Sequence, residues 1–188
     1  ALAFIEEMDQ WIRLISPHYE ASPKKVGGSL MRIYRDVRFS KDKSPYKTNV
    51  GIQFRHEVGK DVHAPGFYLH IAADDIFLGV GTWQPDRDSL AAIRDHIVTK
   101  PGPYMDAIEH KPFTEFYNLA GTKLTRPPKG YDKEHKLIEE IKRKDFIGVC
   151  QLQERDLYQP DFCKMVASRF GRAQPFQKFI CEALGLRF

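Results

Sequence analysis

Two alternating segments near the middle of the chain constrain its fold more than any other feature. In the first, residues 66–72, the apolar side chains of Phe67, Leu69 and Ile71 take every second position. Because successive side chains of a β-strand point to opposite faces, this pattern predicts a strand with one buried face. Two aspartates follow as a turn, and residues 76–83 are again rich in strand-forming side chains. The two segments therefore predict an antiparallel β-hairpin.

Further strands and several helices are expected around that hairpin. Residues 48–55 alternate well enough for a third strand, whereas residues 3–16 repeat apolar side chains every three or four positions, as an amphipathic helix does. Other expected elements are helices capped by Asp86 and Asp132, helices over residues 104–110 and 113–119, helices beginning near Pro160 and Pro175, and a strand over residues 146–153. We predict a single α+β domain over residues 1–188, a mostly antiparallel β-sheet with helices packed on one face and at its ends.

Composition excludes several classes of protein. The 188 residues are 42% hydrophobic and 29% charged, a balance typical of a globular domain rather than a disordered chain. No apolar run approaches the roughly 18 residues of a membrane span, and acidic residues follow the apolar N-terminus too early for a secretory signal. The three cysteines are odd in number and widely spaced, which predicts reduced thiols in a cytoplasmic protein.

Positive charge is concentrated in residues 32–48, which we call the basic stretch. It holds six Lys and Arg, two Asp, two Tyr and one Phe. Residues 20–60 carry ten basic and four acidic residues, a charge of +6, so the remainder of this chain of net charge +4 sums to −2. Because the basic character is local, it predicts a patch that binds an anion.

The backbone conformation of this stretch is ambiguous from its periodicity. A helix capped by Ser29 and a strand both give one apolar face. The β-branched and aromatic residues favour a short strand over residues 30–34 that leads into a turn. In the strand, Arg35 points to the apolar face, where a guanidinium group needs a partner.

Three segments together resemble a known family. They are residues 32–49, residues 79–85 (GVGTWQP) and residues 126–135 (RPPKGYDKEH). These segments are similar to the family called domain of unknown function 2461, and the similarity runs from about residue 4 to the C-terminus. The resemblance implies a single cytoplasmic α+β domain and no particular activity. Family members usually carry a further leading segment with aromatic residues, which this sequence lacks. A piece of the fold or site is therefore expected to be missing from this sequence.

Most of the predicted ligand site comes from the basic stretch. Guanidinium groups bind phosphate oxygens bidentately, and aromatic rings pack against a sugar or a base. Arg35, Arg38 and Lys47 are the foremost anion ligands, unless the arginines pair with structural carboxylates and the lysines are solvated. The loop around Arg126 and Lys129 either closes over the site or is a plain connecting turn. The predicted ligand-binding residues are Arg32, Arg35, Arg38, Tyr46, Lys47, Gly79, Gly81, Trp83, Arg126 and Lys129.

The second strand of the hairpin carries two glycines between aromatic residues. Gly79 and Gly81 share one face with Phe77 and Trp83, which predicts a flat slot where a ligand or another backbone approaches closely. The alternative interpretation is that a helix packs closely over the two glycines. The pattern is not a dinucleotide-binding fingerprint, because no third glycine follows and no helix opens there.

Few residues are candidates for chemistry. His70, on the strand face turned away from the core, is a candidate acid or base, and Asp36 is a second candidate. Asp36 and Asp42 are also expected to orient the neighbouring Arg and Lys side chains. His56, His63 and His70 fall seven residues apart, but no short-spaced pair is present, so no metal and no other cofactor is predicted.

The leading functional hypothesis is binding of a phosphate-bearing small molecule or nucleotide, with or without chemistry on it. One alternative is a non-catalytic module that binds nucleic acid through an exposed basic face. The other is a scaffold whose arginines are all structural. The sequence contains no GxSxG, P-loop or HExxH motif, which removes the familiar hydrolase and kinase mechanisms but not every enzyme. No membrane partner is expected.

Overall fold

The predicted hairpin lies at the centre of a six-stranded sheet in the computed structural model, which describes residues 1–38, 41–59 and 64–188. Within these ranges the strands are β1 (Tyr19–Glu20), β2 (Asn49–His56), β3 (Gly66–Ala72), β4 (Ile76–Thr82), β5 (Asn118–Ala120) and β6 (Phe146–Gln151). Their order is β1-β2-β3-β4-β6-β5, and every neighbouring pair is antiparallel. The register sets Leu69 of β3 opposite Ile52 of β2 and Leu78 of β4, so one face of the sheet is apolar and buried.

Helices cover that apolar face. The described residues form α1 (Leu2–Ile15), α2 (Arg87–Thr99), α3 (Pro101–Glu109), α4 (Lys111–Thr114), α5 (Ile138–Ile141), α6 (Phe162–Arg172) and α7 (Gln174–Ala183), with a 3₁₀ turn at Glu154–Tyr158. α6 and α7 pack on β4, α1 packs on α6, and α2 and α3 pack on α7. The chain is therefore a single α+β domain, as the sequence predicts. Within the described ranges, every helix is too short or too polar to span a lipid bilayer.

α1 illustrates how the helical layer is held. Its fully buried residues Ile5, Met8 and Ile12 recur every three or four positions and so lie on one side of the helix. The ring of Phe4 lies 5.4 Å from the ring of Phe162 at the start of α6. Because a fully buried large apolar side chain contributes about 1.5–3 kcal/mol, this side anchors α1 to the rest of the domain.

Several local predictions are confirmed. α1 matches the helix expected over residues 3–16. The carboxylate of Asp86 accepts hydrogen bonds from the backbone N–H groups of Asp88 and Ser89, so this residue caps α2. Pro175 lies in the first turn of α7, where its missing N–H costs no helical hydrogen bond. The predicted strands agree with β2, β3, β4 and β6 to within a few residues.

Two helix predictions are wrong. Residues 113–119 do not form one helix, because α4 ends at Thr114 and Asn118 begins β5, whose backbone groups pair with β6. Asp132 does not cap a helix either. Its carboxylate accepts the N–H of Glu134 at 2.9 Å and closes a turn, and α5 begins later in the chain.

The strand predicted over residues 30–34 is not formed as a regular element. Leu30 forms an isolated bridge with Ile52, and the N–H of Met31 donates to the carbonyl oxygen of Gly51 at 2.9 Å. The chain therefore touches the edge of β2 and leaves it after Met31. Strand propensity is overridden here by pairing within the basic stretch itself, as described below.

Candidate ligand-binding site

The sheet face opposite the helices carries a groove of about 350 Å³. Strand alternation creates it, because Phe67 and Leu69 of β3 point into the core while Tyr68 and His70 point the other way. We call it the sheet-face groove. Its lining residues are Met31, Gln53, Gly66, Tyr68, His70, Phe77, Gly79, Val80, Gly81, Trp83, Ile147 and Val149.

Glycines form the floor of the groove. Gly66 lies directly opposite Gly81, and Gly79 lies opposite Tyr68, in the register of β3 and β4. A Cβ atom at Gly79 would lie 3.5 Å from Cβ of Tyr68 and 3.9 Å from Cε2 of Phe77, both ordinary contact distances. Gly79 therefore opens a slot between two aromatic residues.

Gly81 has a different role. Its φ of +107° is a backbone conformation that side-chain-bearing residues rarely adopt. A Cβ atom there would overlap the carbonyl oxygen of Phe146 and lie 3.1 Å from the ring of Phe176 on α7. Close packing against the backbone of β6, and to a lesser extent against α7, therefore explains Gly81 but not Gly79.

Aromatic rings form one wall of the groove. The ring of His70 stacks on the ring of Phe77, with centroids 4.7 Å apart and planes 11° from parallel. The ring of Tyr68 lies 5.9 Å from each of them. Trp83 follows the end of β4 with 50% of its surface exposed. Flat ring faces beside a glycine floor suit a planar ligand.

His70 is fixed by hydrogen bonds as well as by stacking. Its Nδ1 lies 2.9 Å from Oη of Tyr68 and 3.5 Å from Nδ2 of Asn49. Burial lowers the pKa of His70, although the carboxylate of Asp75 acts in the opposite direction. Burial also raises the pKa of Tyr68. At pH 7 both side chains are therefore neutral hydrogen-bonding groups.

Met31 connects the groove to the basic stretch. A Cβ atom on Gly51 would lie 2.9 Å from Sδ of Met31 and 2.8 Å from Oη of Tyr68. Glycine at this position of β2 therefore lets the thioether and the phenol pack over the strand. Neither Met31 nor Gly51 was expected in the site.

Beyond Met31 the basic stretch folds back on itself as a short ribbon. The N–H of Arg35 donates to the carbonyl oxygen of Pro45 at 3.0 Å, and the N–H of Lys47 donates to that of Ile33 at 2.8 Å. These bonds enclose the turn and bring its two ends together. The ribbon returns directly into β2.

The ribbon presents aromatic and basic side chains. Tyr34 and Tyr46 face each other across it, with ring centroids 5.5 Å apart and more than half of each side chain exposed. Arg32 is exposed and Lys47 is half-buried. Among the described residues, neither cation has a salt-bridge partner.

Arg35 and Arg38 are paired with carboxylates of the same stretch. Arg35 donates from Nη1 to Asp42, and Arg38 donates from Nη2 and Nε to Asp36 at 2.6 and 2.9 Å. The hydrogen bonds from Arg38 lower the pKa of Asp36 to about 2, and those from Ser44, followed by Arg35, lower the pKa of Asp42. The aspartates therefore orient the arginines, as expected. A carboxylate as acidic as Asp36 is a weak general base at pH 7.

The second basic loop lies away from the groove. Arg126 and Lys129 are exposed, and neither lines it. Oη of Tyr131 donates to Asp95 of α2 at 2.8 Å, which ties this loop to the helical layer. Arg126 and Lys129 therefore do not line the groove with Gly79, Gly81 and Trp83.

Two of the three evenly spaced histidines, His56 and His70, lie at different places in the structure. His56 is buried near the C-terminus, where its Nε2 lies 2.8 Å from the carbonyl oxygen of Arg187. His70 lies in the groove, and His63 is outside the described residues. Among the residues that are described, no three His, Cys, Asp or Glu side chains are grouped to hold a metal ion.

Local sequence patterns indicate one side of the groove but not the other. Gly79, Gly81, Trp83 and His70 were expected near the site, whereas Ile147 and Val149 of β6 were not. β6 pairs with β4 across a long stretch of chain, and no local pattern encodes that register. Glycines inside strands, such as Gly66, were a usable signal.

The sequence also matches a known protein family. The sequence matches the family described as "Conserved hypothetical protein (DUF2461)" over residues 1–179. No curated protein and no solved structure matches the chain. The match covers nearly the whole sequence and includes every strand of the sheet. The chain therefore belongs to the DUF2461 family of conserved hypothetical proteins.

Proposed function

We propose that this domain binds a small molecule that combines a planar ring with a phosphate or similar anionic group, such as a nucleotide. The observation that carries the proposal is the sheet-face groove, with a glycine floor at Gly79 and aromatic walls at Tyr68 and Phe77. Its volume of about 350 Å³ lies within the range of small-molecule sites, roughly 300–1,000 Å³. A ligand ring can pack against the open faces of these aromatic side chains.

The anionic group is assigned to Arg32 and Lys47. Arg32 follows the groove residue Met31, and Lys47 is bonded through its backbone to the neighbouring Ile33. Arg35 and Arg38 already bind carboxylates, so binding an anion through them would break existing ion pairs. Cations without a salt-bridge partner bind phosphate at lower cost.

The groove is tested by filling it. We expect Gly79→Leu to abolish binding of nucleoside 5′-monophosphates in isothermal titration calorimetry, because the new side chain occupies the slot. Gly79→Ala fits the available space and should weaken binding only slightly. Gly171→Leu, on an open surface of α6, is the matched control for the same change of residue. If Gly79→Leu folds and binds every nucleotide like the wild-type protein, the groove is not the site.

The cations are tested by comparing nucleotides with nucleosides. Arg32→Gln combined with Lys47→Gln should lower nucleotide affinity about tenfold or more and leave nucleoside affinity unchanged, since only the phosphate contact is lost. Arg38→Gln is the control, because its guanidinium group is bound to Asp36. Equal losses for nucleotide and nucleoside would contradict the assigned phosphate contact.

A second candidate function is binding of single-stranded nucleic acid. The exposed pair of Tyr34 and Tyr46, within a stretch of six cations, resembles a base-stacking platform. For a single strand that contacts Z cations, the logarithm of affinity should fall with the logarithm of salt with a slope of about −0.7Z. A shallow slope favours the small-molecule site. If no anion binds by any measure, the structural-arginine scaffold accounts for the basic stretch.

We also infer a cytoplasmic location. Cys150, Cys163 and Cys181 are free, buried thiols, as is usual in a reducing compartment. Labelling cells with a thiol reagent, followed by denaturation and mass spectrometry, should find all three cysteines reduced. A disulfide among them would contradict this location.

A further inference from the structure

The sheet-face groove contains one polar group whose direction and proton can both be assigned, the imidazole of His70. Its Nδ1 lies 2.9 Å from Oη of Tyr68, which can donate or accept, and 3.5 Å from Nδ2 of Asn49. An amide NH₂ group can only donate, so Nδ1 is the acceptor and carries no proton. In the neutral ring the proton must therefore lie on Nε2.

The direction of Nε2 is fixed by the same contacts. Stacking on Phe77 at 4.7 Å sets the plane of the imidazole, and the bonds to Nδ1 set its rotation within that plane. Among the described residues, none accepts a hydrogen bond from Nε2. His70 therefore presents an oriented donor, while its neighbours Phe77, Gly79 and Val149 in the lining are apolar.

We propose that Nε2 of His70 is the specificity-determining donor of the groove, and that the groove selects planar heteroaromatic rings that present a carbonyl oxygen or an unprotonated ring nitrogen. Such a ring lies over Gly79, beside Tyr68 and Phe77, with its acceptor turned toward His70. A ring that presents an N–H at this place sets its own donor against the Nε2–H donor of His70. The two cannot form a hydrogen bond, and the ring is rejected. This inference rests on the proposed function, because it specifies the ring that the groove takes.

Tyr68 is a positioning residue in this scheme. It acts through His70 by holding the imidazole at Nδ1 through the 2.9 Å contact, and its own ring forms part of the wall. Without the phenol oxygen, only the 3.5 Å contact with Asn49 remains at Nδ1, so the imidazole is held less firmly and can take the other tautomer, in which Nε2 is an acceptor. Loss of that oxygen should therefore change ligand preference more than it changes overall affinity.

Two bicyclic probes of similar size test whether the groove prefers a ligand ring with an acceptor to one with a donor. Quinoline offers a ring nitrogen as acceptor, and indole offers only an N–H. At about pH 8, where histidine is neutral, the wild-type protein should bind quinoline about tenfold or more tightly than indole in an NMR titration. ¹⁵N spectra of the imidazole should show the Nε2–H tautomer in the free protein and a shift of Nε2 with quinoline.

Three variants complete the experiment. His70→Phe keeps a stacking ring and should abolish the preference for quinoline, and Tyr68→Phe should reduce the preference and allow the second tautomer. Gly171→Leu, far from the groove, should change neither. Suppose that the wild-type protein and His70→Phe each bind the two probes equally while groove resonances shift. That result overturns the assigned role of His70 and leaves the groove as a ligand site. If neither the probes nor nucleotides shift any groove resonance, the proposed function fails as well.

Discussion

The carboxylate of Asp145 accepts a hydrogen bond from the backbone N–H of Gln84 at 3.0 Å, directly after the groove residue Trp83. Gln84 has a φ of 47°, a left-handed conformation that is uncommon for residues other than glycine. The second carboxylate oxygen of Asp145 accepts the N–H and the hydroxyl of Thr122 at 2.9 and 3.0 Å. This buried carboxylate therefore holds together the chain segments that follow β4 and β5.

Replacing Asp145 should destabilise the protein. Asp145→Ala leaves the N–H groups of Gln84 and Thr122 without their acceptor, at a cost of about 1–3 kcal/mol for each group that stays buried. Urea unfolding monitored by circular dichroism measures the change in the free energy of unfolding. Asp106→Ala, at an exposed position of α3, is the control and should change stability by no more than about 0.5 kcal/mol. Equal stability of the two variants would contradict the structural role of Asp145.

The two glycines of β4 should respond oppositely to the same substitution. Gly81→Ala places a methyl group against the carbonyl of Phe146 at a strained φ, so we expect a loss of about 3 kcal/mol or more, or failure to fold. Gly79→Ala has room for its methyl group and should leave stability unchanged or raise it by up to about 1 kcal/mol. Thermal unfolding of both variants under identical conditions gives the comparison. Similar melting temperatures would show that the local conformation at Gly81 is not needed.

Removing the half-buried carboxylate of Glu140 should be costly. Glu140 accepts hydrogen bonds from Nε of Arg143 and from Oη of Tyr104, and Arg143 is 7% exposed. Glu140→Ala leaves a buried guanidinium without its anion, which typically costs about 3–5 kcal/mol. Glu139→Ala, which removes an exposed partner of Lys142, should cost less than about 1 kcal/mol. If the two neighbouring glutamates give equal losses, the Glu140 network does not stabilise the fold.

The contribution of Glu140 should also depend on pH. Burial alone raises the pKa of this carboxyl, but the hydrogen bonds from Arg143 and Tyr104 outweigh it and leave the pKa below the ordinary value of 4.5. Because the folded-state pKa is the lower one, the stabilisation is fully present above pH 4.5 and is lost as the pH falls through the folded-state value. The difference in unfolding free energy between wild type and Glu140→Gln should therefore shrink below pH 4.5. A difference that stays constant from neutral pH to acid would contradict this pKa.

The parts of the fold that could be read from the sequence are those with local patterns. The alternation of Phe67 and Leu69 predicts β3 and the orientation of His70, because the period of a strand fixes which side chains share a face. The pairing of Gly79 with Val149 joins distant parts of the chain, and no local pattern encodes it. The far wall of the groove therefore could not be predicted.

The orientation of Arg35 shows a second limit of local patterns. Propensity favoured a strand that would turn this side chain toward an apolar face. The guanidinium instead bonds to Asp42, seven residues further along, once the stretch has folded back as a ribbon. The residue types predicted that an arginine and an aspartate would pair, but not which of them would meet. Family membership could be predicted because it rests on residue identity.

The chain contains two tryptophans. One of them, Trp83, is half-exposed and lines the sheet-face groove. The other, Trp11, lies on α1 in the helical layer, on the opposite side of the sheet. After Trp11→Phe, the tryptophan fluorescence of the protein, excited selectively over that of tyrosine, comes from the mouth of the groove alone. Half-exposed indole emits at longer wavelength than buried indole, so occupancy of the groove is expected to appear as quenching or a blue shift. The domain thus carries its own optical reporter, which needs no label and no knowledge of the ligand.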